Sequence, residues 1–360
     1  MAKKYVLAVD SFKGCLTSEE AETAVASALR HYCDDAEVVA LPVSDGGEGM
    51  LAAFTAAMGG RIEKVWVHDP MMRRVEAAYG VTSDGTAIIE VAEACGLTLI
   101  DAAERNPLRA TTYGVGELVA AAVVKGCRNF IVGLGGSATS DAGIGMLRAL
   151  TDRLSPRGGT FDDALHGVLG QCRFTLACDV DNPLCGPRGA VAVFAPQKGA
   201  APDMLPVLEQ RALRFARMSA LHFGFDCSCR PGAGAAGGLG YAFMQYLGAD
   251  VRPGADVILD ISGFDNALNG AACVITGEGR ADSQTLMGKL PMRVLERASR
   301  YGVPVWLLAG QVDDAGILLN AGFAGVECIT PEGMPAAEAM NKDVAMKNIF
   351  RAVARLPFIG

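Results

Sequence analysis

Charged side chains and glycines occur together in three short segments, each directly after an apolar run typical of a β-strand. These segments are Asp10–Gly14, Ser44–Gly49 and Gly277–Asp282. Phosphoryl transfer from a magnesium-bound nucleotide needs such groups: cations offset the charge on the transferred group, and carboxylates hold Mg²⁺ or accept the hydroxyl proton. We therefore predict one phosphoryl-transfer site, in which the converging side chains are Asp10, Lys13, Glu278, Arg280 and Asp282, with Asp45 nearby. For any single residue, a helix cap or a surface ion pair is the alternative.

Further glycine-rich segments lie in the middle of the chain. Gly133–Asp141 follows the apolar run Phe130–Val132 and should open a helix, where free backbone N–H groups suit an anion. Gly232–Gly237 fits the dinucleotide spacing G-x-G-x-x-G, although the run before it is a poor strand. A P-loop is excluded because Leu290 follows Gly288-Lys289. Asp179–Leu184 and Phe194–Ala200 are also candidates, with ordinary turn chemistry as the alternative.

Alternating strand and helix patterns at the two ends of the chain predict the domain that positions these groups. Two β-α units begin the chain and three end it, with strands at 5–9, 38–43, 272–276, 303–309 and 326–330. This number suits a flavodoxin-like, doubly wound parallel sheet. The fold class predicted is thus α/β: residues 1–60 plus 266–360 form this domain, and residues 61–265 form an inserted mixed α/β domain. In an order 2-1-3-4-5, the loops after strands one and three meet, and we expect the active site in the cleft between the domains.

Composition narrows the class of protein. Hydrophobic residues make up 51% of the chain, so a disordered chain is excluded, and 40 acidic against 32 basic residues give a net charge of −8. Because the basic residues are scattered, neither a nucleic-acid surface nor a membrane surface is expected. The eleven cysteines are an odd number without metal-site spacing, and the four histidines show no ligand spacing. A cytosolic compartment is expected; oligomeric state has no signal in the sequence.

Seven longer motifs resemble those of the bacterial glycerate kinases, over essentially the whole chain and in the family's order. They are DSFKG (from Asp10), PVSDGGEG (from Pro42), GLGGSATSDAGIGML (from Gly133), ACDVDNPLCGP (from Ala177), APQKGA (from Ala195), PGAGAAGGLG (from Pro231) and VITGEGRADSQTLMGKLP (from Val274). The resemblance implies a flavodoxin-like domain interrupted by a second α/β domain. It also implies an enzyme dependent on ATP and Mg²⁺ that phosphorylates a hydroxyl of D-glycerate, the usual product being 2-phosphoglycerate.

The reaction implied by this resemblance suggests roles for the motif residues. Arg280 and Lys13 would bind the glycerate carboxylate, Lys198 or Lys289 would meet the transition-state charge, and Asp45 or Asp282 would accept the hydroxyl proton. The remaining assignments are Glu278 and Asp181 near Mg²⁺; Asp10, Ser11, Gly46 and Gly47 at the substrate; and Gly135, Gly136, Ser137, Gly234 and Gly237 at the nucleotide. For the glycines the alternative is tight helix–sheet packing.

Two other functional classes stay open from the residues alone. A nucleotide-dependent dehydrogenase of a small hydroxy acid rests on the Gly232–Gly237 spacing only. A non-catalytic protein that binds small acids is the second; the charged residues Lys13, Asp45, Glu278, Arg280 and Lys289 argue against it. Release of ADP in the presence of glycerate separates both from a kinase.

Overall fold

The computed structural model describes residues 3–44, 47, 49–156 and 158–359. The strands in this part of the chain are β1 (Lys3–Val9), β2 (Ala36–Ala40), β3 (Arg61–His68), β4 (Arg74–Val81), β5 (Thr86–Glu90), β6 (Asn129–Gly133), β7 (Arg173–Ala177), β8 (Asp250–Arg252), β9 (Ala271–Ala281), β10 (Val305–Val312) and β11 (Gly325–Cys328). The helices are α1 (Ser18–Tyr32), α2 (Met50–Ala57), α3 (Ala92–Cys95), α4 (Tyr113–Val124), α5 (Ile144–Leu154), α6 (Phe161–His166), α7 (Ala190–Phe194), α8 (Met204–Phe223), α9 (Ala235–Leu247), α10 (Gly254–Ile261), α11 (Phe264–Ala267), α12 (Leu290–Arg300), α13 (Ala315–Asn320), α14 (Ala336–Ala339) and α15 (Lys342–Val353).

The chain divides into two compact units. Unit 1 comprises Met1–Asp45, Ala56–Met58 and Ala255–Gly360, and unit 2 comprises Gly46–Thr55 and Gly59–Gly254. The division differs from the boundaries predicted at residues 60 and 265. The segment Gly46–Thr55 groups with unit 2, where the Leu51 amide donates to the buried Glu90 carboxylate at 3.2 Å. At the other boundary, α10 groups with unit 1, where Arg297 of α12 donates to Asp256 of α10.

Unit 1 contains a five-stranded parallel sheet with the order β11-β10-β9-β1-β2. Counting only the strands of this unit along the chain, the order is 2-1-3-4-5, which confirms the predicted flavodoxin-like fold. The strand predicted at 38–43 instead occupies Ala36–Ala40. It ends before Pro42, which has no N–H to donate to a ladder.

Helices cover both faces of this sheet. On one face, Tyr5, Leu7 and Val9 of β1 pack into a core with α1 and α15. The alternate residues Val6 and Ala8, which point to the opposite face, are equally buried. The first of these helices begins as its sequence indicates: the Thr17 side chain accepts from the Glu20 amide, and the Glu20 carboxylate accepts from the Thr17 amide, forming a capping box.

Strand β9 corrects the prediction that Gly277–Asp282 is a loop. The strand continues to Ala281, and Arg280 and Ala281 pair with Gln311 and Val312 of β10. Glycines in β9 and β10 permit this pairing because the neighbouring backbone lies very close. A Cβ on Gly277 would lie 2.5 Å from the Leu308 carbonyl oxygen, and one on Gly310 would lie 2.6 Å from the Gly279 carbonyl oxygen.

Unit 2 contains a six-stranded sheet with the order β3-β4-β5-β6-β7-β8. The first three strands are antiparallel and β5 to β8 are parallel, so the predicted mixed α/β fold is confirmed. The predicted helix at 112–125 is α4, which packs against α5 and buries Val115, Leu118 and Val119 in the core of the unit. No helix of the described residues is long and apolar enough to cross a membrane.

Candidate active site

Six of the predicted residues line one cavity of about 610 Å³ within unit 1. They are Asp10, Ser11, Lys13, Glu278, Arg280 and Lys289. The cavity opens where β1 and β9 end, which is where a sheet of this order presents its crevice. Asp10 directly follows β1, its amide donates to the Gly277 carbonyl at 2.9 Å, and its carboxylate accepts from the Ser11 amide at 2.7 Å.

Glu278, like Asp10, is a buried acid of this cavity. Its Oε1 accepts from the Thr285 hydroxyl at 2.6 Å, and its Oε2 lies 3.4 Å from Lys289 Nζ. Burial raises the pKa of the Glu278 carboxyl, and the hydrogen bond from Thr285 and the charge of Lys289 oppose that rise. The lysine stands at the N-cap of α12, so the helix fixes the base of its side chain. A cation and an acid are therefore held together against the cavity.

Arg280 lies at the edge of the same cavity and is already paired. Its Nε and Nη2 donate to Asp313 Oδ2 at 3.2 and 2.5 Å, and its Nε lies 3.7 Å from Asp282 Oδ2. Asp282 does not line the cavity itself. Its Oδ1 accepts from the Gln284 amide at 2.7 Å, which is the geometry of a turn. The guanidinium thus has its orientation set by Asp313 and keeps other N–H groups for an anion.

Lys198 is the buried cation of unit 2, with only 3% of the residue exposed. Its Nζ donates to the Ser137 hydroxyl and to the Thr139 carbonyl, both at 2.8 Å. Burial lowers the pKa of Lys198 to about 8. The structure therefore joins two predicted residues, Lys198 and Ser137, and leaves the lysine able to change protonation near neutral pH.

The predicted nucleotide-binding glycines divide into two kinds. Gly135 and Gly136 form a turn after β6 that is partly open to solvent, and Gly136 has a positive φ of 71°. By contrast, Gly234 donates its amide to the Asn182 carbonyl at 2.8 Å, and a Cβ on Gly237 would lie 1.9 Å from the Thr139 carbonyl oxygen. For Gly234 and Gly237 the structure favours the packing alternative, because their backbone contacts are already made within the protein.

The residues before Gly232 also weaken the dinucleotide alternative. Helix α8 ends at Phe223, and residues 224–234 contain turns and no strand. The G-x-G-x-x-G interpretation requires a strand directly before the glycines. The dehydrogenase alternative loses its structural support at this segment.

Asp181, the second predicted metal ligand, lies in unit 2 on the surface. Its side chain is 72% exposed, and its two oxygens accept from Arg188 Nη2 at 3.0 and 2.9 Å. Among the described residues, no group of three or more His, Cys, Asp or Glu side chains could by itself hold a metal ion.

Three predicted substrate or catalytic residues cluster in the segment after β2. Asp45 and Gly46 lie outside the described residues. Gly47 is described, and its carbonyl accepts from the Met50 amide at the start of α2, at 3.2 Å. Gly47 therefore lies in a tight turn that leads into α2.

The sequence did not single out two side chains that position the charged groups. Thr285 is fully buried; its hydroxyl accepts from the Asp282 amide at 3.0 Å and donates to Glu278. Asp313 orients Arg280, as described above. An Asp-x-x-Thr turn signal from Asp282 to Thr285 could have pointed to the first. Asp313 carries no such signal, because only the pairing of β9 with β10 brings it to Arg280.

Comparison with known proteins gives one continuous match that includes both units of the chain. Residues 5–357 match the Glycerate kinase family. The glycerate kinase of Bacillus subtilis (strain 168) is 42% identical over 353 residues, covering 93% of this chain and 92% of the relative. The glycerate 2-kinase of Escherichia coli (strain K12) is 39% identical over 340 residues, covering 90% and 89%.

A solved structure supports the same relationship. The crystal structure of a Salmonella typhimurium LT2 protein assigned as glycerate kinase 2 superimposes with a TM-score of 0.84 at 37% identity, covering 98% of this chain and 97% of the other. Sequence match and fold agree over nearly the whole length, and the resemblance found in the motifs is confirmed. The chain belongs to the glycerate kinase family, a family of phosphotransferases.

Proposed function

We propose that this protein transfers the γ-phosphoryl group of ATP to a hydroxyl of D-glycerate, giving 2-phospho-D-glycerate and ADP. The family membership supports the activity, and the name of the Escherichia coli relative, glycerate 2-kinase, supports the product. The single observation that carries the proposal is the unit 1 cavity, where Lys13, Arg280 and Lys289 lie beside the acids Asp10 and Glu278. These are the groups that phosphoryl transfer to a small anionic alcohol requires.

The glycerate carboxylate is assigned to Arg280, with Lys13 beside it. Asp313 accepts from one edge of the guanidinium, so the planar fork is already oriented when the substrate arrives. Ser11 lines the same cavity and supplies a hydroxyl that can bond a substrate oxygen. Lys198 or Lys289 is assigned to the negative charge of the phosphoryl group, and Asp45 or Asp282 to the proton of the attacking hydroxyl.

Two carboxylates of the unit 1 cavity fit Mg²⁺ in combination with phosphate oxygens. Mg²⁺ is commonly held by one or two carboxylates together with substrate phosphates and waters. Asp10 and Glu278 both line the cavity and could supply two oxygens, whereas Asp181 is bound to Arg188. When bound, the ion would offset negative charge on the nucleotide phosphates.

An ADP-release assay with ATP, Mg²⁺ and D-glycerate tests the proposal, and NMR identification of the phosphorylated carbon tests the product. We expect glycerate-dependent ADP release and phosphorylation at carbon 2. Glycerate-dependent reduction of NAD without ADP release would instead establish the dehydrogenase alternative. Binding of glycerate by calorimetry without turnover would establish the non-catalytic alternative.

The base assignment has its own test. Asp45→Asn and Asp282→Asn should be assayed separately at saturating Mg·ATP and glycerate. Asp313→Asn, which removes the charged partner of Arg280, is assayed beside them for comparison. If the assignment is correct, one of the first two variants loses at least about a hundredfold in kcat. Near-normal kcat in both would contradict it.

A further inference from the structure

A second cavity, of about 490 Å³, lies wholly within unit 2. None of the residues that line it has a role in the reaction proposed above. It lies between the segment 107–113, the segment 140–145, and the helices α5 and α8. Most of its lining is apolar: the side chains of Met72, Pro107, Leu108, Ala110, Ala142 and Leu208. A cavity of this size with apolar walls fits an organic ligand rather than a lone ion.

Three arginines, Arg109, Arg148 and Arg211, also line this cavity. Arg148 lies 3.8 Å from Asp152, whereas Arg211 donates to the Leu108 carbonyl at 3.2 Å. In the described part of the chain no carboxylate forms an ion pair with Arg109 or Arg211. The cavity therefore keeps uncompensated positive charge at an apolar wall.

The acids of the cavity are committed to the protein. Asp141 accepts from the hydroxyls of Thr111 and Thr112 and from the amides of Thr112, Gly143 and Gly145, at 2.9 to 3.3 Å. Asp152 accepts from the Tyr113 hydroxyl at 2.9 Å. The five bonds hold the Asp141 carboxylate in place, whereas Asp152 accepts one bond and is also the ion-pair partner of Arg148. Arg148 and Asp152 offset each other, so Arg109 and Arg211 outnumber the remaining acid, Asp141, and the lining carries a net positive charge.

Ser140 contributes a polar group with no partner. It lines the cavity, is 7% exposed, and its hydroxyl oxygen has no hydrogen bond in the structure. An unpaired buried hydroxyl is costly unless a ligand or a rearranged side chain satisfies it. Ser140 lies three residues after Ser137, the partner of Lys198, so their Cα atoms are at most about 11 Å apart.

We propose that this unit 2 cavity binds the nucleoside part of the ATP used by the enzyme, with the base against the apolar wall and Arg109 or Arg211 facing its anionic part. Guanidinium planes stack on aromatic rings and bind phosphates, so the same arginines suit both parts of a nucleotide. The loop carrying Gly136 and Ser137 would then lie along the phosphates. This inference rests on the proposed function and names where its second substrate binds.

Direct binding of ADP to the full-length protein, measured by calorimetry, tests the proposal without turnover. Arg211→Met should raise the Kd for ADP about tenfold, a change of about 1.4 kcal/mol. Leu108→Trp, which fills the cavity from a half-buried position, should raise it further. Arg214→Met is the matched control, because Arg214 is exposed on the same helix and does not line the cavity; its Kd should not change.

Ser140→Ala separates ligand binding from folding. Since its hydroxyl has no protein partner, the substitution should leave the urea midpoint unchanged and still raise the Kd for ADP severalfold.

Unchanged Kd values in Arg211→Met and Leu108→Trp would overturn the proposal, whatever the kinase assay shows. So would competition with ADP by inorganic phosphate but not by adenosine, since that would mark a simple anion site. Absence of glycerate-dependent turnover in the wild-type protein with intact ADP binding would instead refute the proposed function alone.

Discussion

Lys198 combines a charge with almost complete burial, and the two together make its protonation state sensitive to ordinary pH. Only 3% of the lysine is exposed, and its Nζ is bonded to Ser137 and Thr139 in the glycine-rich loop. Burial disfavours the charged form, which is why the pKa falls to about 8. If the ammonium is the group that meets the phosphoryl charge, activity depends on keeping it protonated.

This predicts a descending limb in the pH profile of kcat near pH 8, because deprotonation of Lys198 removes the positive charge. Lys198→Met should lose at least about a hundredfold in kcat and lose that limb from any residual activity. Lys64→Met, at an exposed lysine of the same unit, should keep the wild-type profile. A Lys198→Met variant with the unaltered limb would show that another group titrates there.

Thr285 shows how a neutral side chain can position a charged one. Thr285→Val keeps the shape but removes the bond to Glu278 Oε1 and leaves the Asp282 amide without its acceptor. We expect kcat to fall about tenfold with little change in KM for glycerate, and stability to fall by about 1–2 kcal/mol. Thr285→Ser should restore both. Failure of serine to restore kcat would mean that the methyl packing, and not the hydroxyl, matters.

At the scale of elements, α1 meets the end of β1 through a buried acid. Glu22 accepts from the Val9 amide at 3.1 Å, and burial raises the pKa of its carboxyl to about 8. Between the unfolded value, near 4.5, and about pH 8, the folded protein holds a proton that the unfolded chain has released. The free energy of unfolding must therefore decrease as pH rises through this range, and the loss persists above it.

Glu22→Gln tests this coupling, because the amide oxygen can still accept from Val9 and carries no charge. We expect the variant to be more stable than the wild type at pH 8.5, by on the order of 5 kcal/mol, and nearly equal to it below pH 4.5. Urea unfolding across pH measures the difference. Glu37→Gln, at an exposed acid of β2, is the control and should follow the wild-type curve. Parallel curves for Glu22→Gln and wild type would refute the buried-acid explanation.

The glycines of β9 are not equivalent, although they are neighbours in one strand. A Cβ on Gly277 would lie 2.5 Å from the Leu308 carbonyl oxygen, whereas on Gly279 its nearest neighbour would be the Lys13 amide nitrogen at 3.6 Å. Gly277→Ala should therefore destabilise the protein by about 1–3 kcal/mol. Gly279→Ala should leave the urea midpoint nearly unchanged. Equal losses in the two variants would contradict the close strand approach as the cause.

The sequence was sufficient to predict those helices and strands whose signals come from neighbouring residues. The capping box at Thr17 and Glu20 and the apolar run of β1 are legible because neighbouring residues produce them. The sequence did not predict the extension of β9. Gly277 and Gly279 are residues typical of loops, and only the contact with β10 shows that they lie in a strand. For the same reason the assignment of nucleotide-binding roles to Gly234 and Gly237 could not be separated from packing in advance.

At the scale of the whole molecule, each unit has its own core. The large cluster from Val67 to Ala249 lies in unit 2, and it contains residues of every strand from β4 to β7. We expect a fragment of residues 46–254 to fold alone, with a cooperative urea transition, because that core is complete within it. A fragment of residues 1–45 should not fold, as it lacks β9, the neighbour of β1. A non-cooperative transition for 46–254 would show that unit 2 depends on unit 1.

The position of β1 between β2 and β9 also has a consequence for biosynthesis. β1 is synthesised before unit 2, whereas β9, its partner on one side, follows unit 2 and begins only at Ala271. During translation the apolar edge of β1 must wait while unit 2 is made and folds. A nascent chain of this order keeps one edge of β1 unpaired until β9 is made, so we expect it to engage holding chaperones until Ala271–Ala281 has emerged.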